Sequence, residues 1–394
     1  MIKKFFTALL FLFVGAISAG AALYFLGEAP LVRFDNPALV TFGVQKPEVV
    51  GFLPYWLLTK ADKQYERYIT TLTYFGLSVN GDGTLMKLAN AQEQEPGWTT
   101  LMDGKYDDRL AQAKAKGLKQ SLLIISGDDD VISQLVADPE TAANNLMAGV
   151  APIMKDKGFT DLNLDIESFL AATESGRTNF TAFVRTVRKQ LDEQKLGTLT
   201  LDLIPIALVK PKLYDSRALG ELADRIVLMT YDYHYLGGFT SGAVAPLGGA
   251  GLTTEYDVET AVKEAVKTIP KEKLLLGIPL YGYEWETIRN SPEAATIPGG
   301  AQTASVRRVA DILHGCATCS AVMDPVAKSP YLIYPENDYY NQIYFENADS
   351  MKAKIALAQK YHLGGVAMWA LGYEDDNLLT PLSSYKNTLD LSGL

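Results

Sequence analysis

Eight short apolar runs, most of them separated by amphipathic stretches, limit the possible folds of this chain more than any other feature. They are Val49–Pro54, Thr71–Val79, Lys119–Ser126, Asp161–Glu167, Thr198–Ala207, Arg225–Asp232, Leu274–Tyr281 and Gly364–Leu371. Near-continuous apolar strands suit a parallel sheet, which is covered on both faces. Segments with helical spacing, such as Asp107–Lys116, Asn179–Glu193, Val258–Ile269 and Ser350–Tyr361, fall between them. Alternating strands and helices form either a doubly wound sheet or a closed barrel. Eight strands over about 350 residues match an α/β fold of the (β/α)8 TIM-barrel type carrying one insertion. The insertion is expected at Glu284–Glu346, between strands seven and eight, as a small α+β unit. It is too long for a simple loop, holds both cysteines, and ends in Tyr- and Asn-rich sequence.

The composition, 48% hydrophobic and 21% charged, leaves ample apolar material for a large core. A formal charge of −10 without a basic stripe argues against a nucleic-acid partner. No G-x-G-x-x-G or Walker-type sequence follows any strand, so nucleotide binding has no support. The two cysteines, Cys316 and Cys319, read as a local disulfide or as free thiols. A zinc site needs about four ligands, and His314 is the only obvious third.

At the N-terminus, Lys3 and Lys4 precede an uncharged apolar run from Phe5 to Leu26. At 1.5 Å per residue such a helix reaches roughly 33 Å, enough for a bilayer core of about 30 Å. The lysines favour keeping the N-terminus inside, so everything after Glu28 would lie outside. A cleavable signal peptide is the other reading, with Ala19-Gly20-Ala21 resembling a cleavage site. The expected organisation is therefore an anchor or signal peptide over 1–27, a proline-containing linker over 28–46, and a barrel over 47–394. The protein would be exported, either anchored in the cell membrane facing outwards or secreted.

The fourth run reads Asp161-Leu162-Asn163-Leu164-Asp165-Ile166-Glu167. Strand alternation sends Asp161, Asn163, Asp165 and Glu167 to one face and the apolar residues to the other. In a barrel the outer face meets helices and must be apolar, so the polar series points inward. Burying so many polar groups costs stability unless they are hydrogen-bonded. A structural polar network is the plain reading, but Glu167 falls at the C-terminal rim, where barrel active sites lie. Asp165 is about 6–7 Å away along the strand. Two carboxyls this close and poorly solvated cannot both ionise freely, which raises one pKa. An acid still protonated near neutral pH is what glycosidic cleavage needs at the leaving oxygen.

Asn163-Leu164-Asp165-Ile166-Glu167 resembles the D-x-x-D-x-D-x-E signature of glycoside hydrolase family 18, the chitinase family. Thr160, Asp161 and Asn163 depart from it, and Asn at the middle position is similar to a bacterial branch of spore-cortex and cell-wall hydrolases. Leu228-Met229-Thr230-Tyr231-Asp232 resembles the family's M-x-Y-D, and Trp369 matches its strand-eight tryptophan. Gly277-Ile278-Pro279-Leu280-Tyr281-Gly282-Tyr283 is also family-like. The resemblance implies Glu167 as proton donor, Asp165 as the group orienting a substrate acetamide, and Tyr231 as its hydrogen-bond donor. Met229 and Asp232 would line the site, Trp369 would lie beneath the scissile sugar, and Asn163 would hydrogen-bond Asp165. Tyr281 and Tyr55 are further candidates for sugar contact. Taken alone, each of these aromatics reads equally well as core.

The implied activity is hydrolysis of β-1,4-linked N-acetylglucosamine-containing polysaccharide (chitin, peptidoglycan or a related glycan) by a substrate-assisted, retaining route. It requires neither metal nor organic cofactor. The expected partners are that glycan and, through the N-terminal helix, the membrane, with no obligate protein partner. A non-catalytic chitin- or glycan-binding lectin on the same barrel is the alternative. A tethered scaffold with a vestigial barrel is a third.

Overall fold

The computed structural model describes residues 46–388. The expected anchor or signal peptide, and the linker up to residue 45, lie outside the described residues. Among the described residues, no helix is long and apolar enough to cross a membrane.

The strands are β1 (Glu48–Pro54), β2 (Thr71–Ser78), β3 (Lys119–Ser126), β4 (Asp161–Ile166), β5 (Thr198–Leu203), β6 (Arg225–Leu228) and β7 (Leu274–Pro279). Then come β8 (Gly282–Thr287), β9 (Thr296–Ala304), β10 (Val322–Met323), β11 (Pro330–Glu336), β12 (Tyr339–Tyr344) and β13 (Gly365–Trp369). Helices α1 (Pro96–Met102), α2 (Asp107–Ala115), α3 (Asp129–Ala137), α4 (Pro139–Lys157) and α5 (Glu174–Gln194) occupy the first half. They are followed by α6 (Ser216–Leu222), α7 (Val258–Ala265), α8 (Val306–Gly315), α9 (Ala348–Lys360) and α10 (Asp376–Tyr385). Strands β1–β7 and β13 close a parallel barrel, with β13 seated between β7 and β1. The (β/α)8 architecture is the one expected.

Alternation decides what each strand face meets. Leu162, Leu164 and Ile166 of β4 point outward into one large apolar cluster with Met147 and Val150 of α4 and Val184 and Val187 of α5. Inside the barrel, Val50, Phe52, Phe75, Leu123, Val227, Leu275 and Ala367 form a separate apolar plug. The first residues of the strands make a polar layer beneath it. Asp161 accepts from Ser121 Oγ at 2.6 Å, Thr198 Oγ1 at 2.5 Å and Thr200 Oγ1 at 3.0 Å, and Arg225 is ion-paired with Glu48.

Two strands end four residues before their apolar runs do. β5 stops at Leu203 because Pro205, which has no N–H to give a ladder, opens a 3-10 turn over Pro205–Leu208. β6 stops at Leu228, where Thr230 N–H turns back to Leu228 O and Tyr231 N–H to Met229 O. The insertion is an antiparallel sheet ordered β10-β11-β12-β8-β9, with α8 laid on it through Val309, Leu332 and Ile343. It begins directly after β7, and its two cysteines are joined as a disulfide with S–S 2.01 Å.

Candidate active site

A cleft of about 380 Å³ opens at the C-terminal ends of the barrel strands. Asp165 and Glu167 both line it. Glu167 lies one residue beyond β4, but its N–H still donates to Ser126 O at 2.8 Å, so the alternation carries through and both acids share a face. Between them, Ile166 O accepts from the buried Tyr214 hydroxyl at 2.6 Å, which fixes the strand end in place.

Burial dominates the electrostatics of the pair. It lifts the Asp165 carboxyl well above the ordinary aspartate range, and the negative charges of Glu167 and Asp202 add to the rise. A hydrogen bond between the two carboxyls raises Asp165 further and opposes the rise of Glu167. Glu167 is raised chiefly by its own burial, with a contribution from Asp232. The hydrogen bond from Asp165 acts against that rise.

The segment after β6 supplies the facing wall. Met229, Tyr231 and Asp232 all line the cleft. Tyr231 is brought there by the turn rather than by strand alternation, and its ring crosses β7 at Gly277. A Cβ at position 277 would sit 2.3 Å from Leu228 O and 3.0 Å from the Tyr231 ring. Burial and the surrounding carboxylates Asp202, Asp165, Glu167 and Asp232 keep the Tyr231 hydroxyl protonated, a standing donor. Asp232 takes a left-handed backbone at φ +59° and accepts from Tyr281 Oη at 2.5 Å and Tyr283 Oη at 2.8 Å. Trp369, from the end of β13, stands edge-on to Phe75 with centroids 4.5 Å apart, so aromatic surface floors the cleft.

Three sequence candidates lie elsewhere. Tyr281 is buried (4% exposed), and its hydroxyl donates to Asp232, so it supports the wall of the cleft. Asn163 sits below the cleft floor beside Asp161, Thr200 and Arg225. Its amide donates to Asp202 Oδ1 at 3.1 Å, not to Asp165 as expected. Tyr55 starts a 3-10 turn after β1 and packs edge-on against Trp56 and on the main core.

Sequence reasoning missed Asp202 of β5, which lines the cleft beside the two acids. The signal was present, since Thr198-Leu199-Thr200-Leu201-Asp202-Leu203 alternates as β4 does. It also missed the apolar end of the cleft, built by Phe169, Ile204, Ile206, Val209 and Tyr256. Ile206 lies on the 3-10 turn after β5 and the others lie outside helices and strands, where neither strand nor helix spacing marks them as lining.

The sequence model for glycosyl hydrolases family 18 matches residues 48–374. A cortical fragment-lytic enzyme of Bacillus anthracis is 25% identical over 329 residues, covering 80% of this chain and 67% of that protein. Among solved structures, the spore cortex-lytic enzyme SleL of Bacillus cereus superposes with a TM-score of 0.69 at 22% identity, over 87% of this chain and 75% of that one. The Group IV chitinase of Ostrinia furnacalis, solved in complex with allosamidin, does so with a TM-score of 0.73 at 21% identity, over 87% and 98%. These two likenesses concern the fold. The family match runs across every barrel strand and the whole insertion, so the chain belongs to the glycosyl hydrolases of family 18, and it is a glycosidase.

Proposed function

We propose that this glycosidase hydrolyses β-1,4-linked N-acetylglucosamine-containing polysaccharide by a substrate-assisted, retaining mechanism. The observation that carries the reading is the buried Asp165–Glu167 pair at the wall of an aromatic cleft, where burial raises both carboxyls. Glu167 protonates the departing oxygen, and the 2-acetamido oxygen of the substrate attacks the anomeric carbon to give an oxazolinium-like intermediate. Asp165 orients the acetamide nitrogen and stabilises the charge that develops there, while the Tyr231 hydroxyl donates to the acetamide oxygen. Glu167, now ionised, takes a proton from the water that opens the intermediate. Met229 and Asp232 line the sugar's position, and Trp369 gives its ring to the apolar face of the pyranose.

The preferred substrate is peptidoglycan or a related surface glycan, supported by the similarity to the cortical fragment-lytic enzymes and by the apolar run Phe5–Leu26. That run supports a place outside the cell membrane, anchored or released. The test is Glu167→Gln on aryl chito-oligosaccharides, chitin and peptidoglycan, with products followed by mass spectrometry. Turnover should fall by about 10³-fold or more while oligosaccharide binding persists. Near-wild-type turnover would remove Glu167 from the acid role, and binding without turnover in the wild type would favour a lectin.

A further inference from the structure

Asp202 has no part in the mechanism above, yet it is the third carboxyl of the cleft and only 4% exposed. The β4–β5 register pairs Asn163 with Thr200 and Leu164 with Leu201, so one residue further on Asp165 and Asp202 are neighbours across the ladder. Asp202 accepts the Asn163 amide at 3.1 Å. The remaining oxygen of Asn163 and Oδ1 of Asp165 are both buried without a hydrogen-bond partner. Among the described residues, no lysine or arginine forms an ion pair with Asp165, Glu167 or Asp202. A purely structural polar group in such a place would be matched by donors. Here one neutral amide donates to Asp202 alone.

We propose that Asp202 is a positioning residue of the hydrolysis: from β5 it anchors the Asn163 amide and holds Asp165 turned up toward Glu167. The inference rests on the reading of Asp165 and Glu167 given under Proposed function. Its physical basis is repulsion between close, unscreened carboxyls. Burial raises both Asp202 and Asp165, and the Asp202 charge adds to the rise of Asp165, which favours Asp165 as the hydrogen-bond donor to Glu167. Without that neighbour, Asp165 ionises more readily and the two upper acids repel one another. The charged and titratable groups facing the cluster are Asp161 from below, Asp165 and Glu167 on β4, Tyr214 ahead of α6, and Tyr231 and Asp232 after β6.

The test compares Asp202→Asn, Asn163→Asp and the reciprocal double variant with the wild type and Glu167→Gln, using the full chain and an aryl chito-oligosaccharide. Asp202→Asn keeps the shape and an acceptor for Asn163 but removes the ionisable group. It should lower kcat by about tenfold or more with KM nearly unchanged, and move the alkaline limb of the kcat profile to lower pH. The double variant returns one carboxyl and one amide to the pair with strands exchanged, and should recover most of the loss. Unchanged kcat and pH profile in Asp202→Asn would overturn the proposal. So would losses in the double variant that simply multiply those of the two single changes. Glu167→Gln separates the two readings: full activity there refutes the acid assignment, whatever Asp202 does. Circular dichroism melts on each variant separate a kinetic loss from failure to fold.

Discussion

Replacing Asp161 by Asn should change how stability depends on pH, by an amount the structure sets. Asp161 opens β4 in the polar layer under the barrel and is 5% exposed. Burial raises its pKa from 3.8 to about 6, against the pull of the hydroxyl donors Ser121 and Thr198 and of Arg225 at 4.0 Å. Below 3.8 the group is protonated in both the folded and the unfolded chain and contributes no difference. As the pH rises from there towards 6, the unfolded chain releases the proton while the folded chain retains it, so stability falls. Above 6 both have released it and the loss is complete. The gap, 6 − 3.8 = 2.2 units, at about 1.36 kcal/mol per unit, corresponds to about 3 kcal/mol. Asn cannot titrate but still offers an oxygen to Thr198 and Thr200, and the Ser121 hydroxyl can turn to accept from its amide. Urea denaturation of both proteins from about pH 4 to pH 7 isolates the effect, because the other buried acids titrate alike in each. The wild type should lose about 3 kcal/mol relative to the variant across that window. A difference that stays flat, or that grows in favour of the wild type with rising pH, refutes the account of Asp161 as a buried acid held neutral.

Further outcomes are expected. Gly277→Ala would press a methyl group against Leu228 O and the Tyr231 ring, so it should destabilise the fold by about 1–3 kcal/mol in a melt and lower kcat through Tyr231 displacement. Lys354→Ala leaves the Glu346 carboxylate without its partner in a site where the two side chains are 0% and 1% exposed. It should cost about 3–5 kcal/mol, whereas Lys354→Met combined with Glu346→Leu should cost less than the single change when both are unfolded in urea. In the pH dependence of kcat/KM, the alkaline limb should lie above the ordinary glutamate range, since burial raises Glu167 and Asp165 together. Asp232→Asn removes a negative charge that lifts Glu167, so the same limb should move to lower pH in that variant.

The barrel was readable because two-sided burial writes each parallel strand as an apolar run, and β3 matches its run residue for residue. The acid strand was readable for the opposite reason. Its polar residues could only point inward, and within that set the rim position of Glu167 and the resemblance to family 18 singled out Asp165 and Glu167. Where the chain leaves the ladder, the period-two rule lapses. Met229 and Tyr231 reach the cleft through consecutive tight turns, which no strand pattern encodes. Tyr281 lies beyond the last residue of β7, and its direction is set by Asp232, a partner 49 positions away that local spacing cannot reveal. The Asn163 amide could have served either acid. Its choice of Asp202 depends on how two strands are staggered, which is a property of the closed barrel and not of either strand.

The insertion has a consequence for the chemistry that its distance from β4 in the chain hides. Tyr283, whose hydroxyl holds Asp232, belongs to β8, the strand that pairs with both β12 and β9 in the inserted sheet. One grip on a wall of the reaction chamber therefore belongs to the appendage and not to the barrel. Shaving the appendage off to make a minimal enzyme would loosen Asp232 as well as shorten the chain.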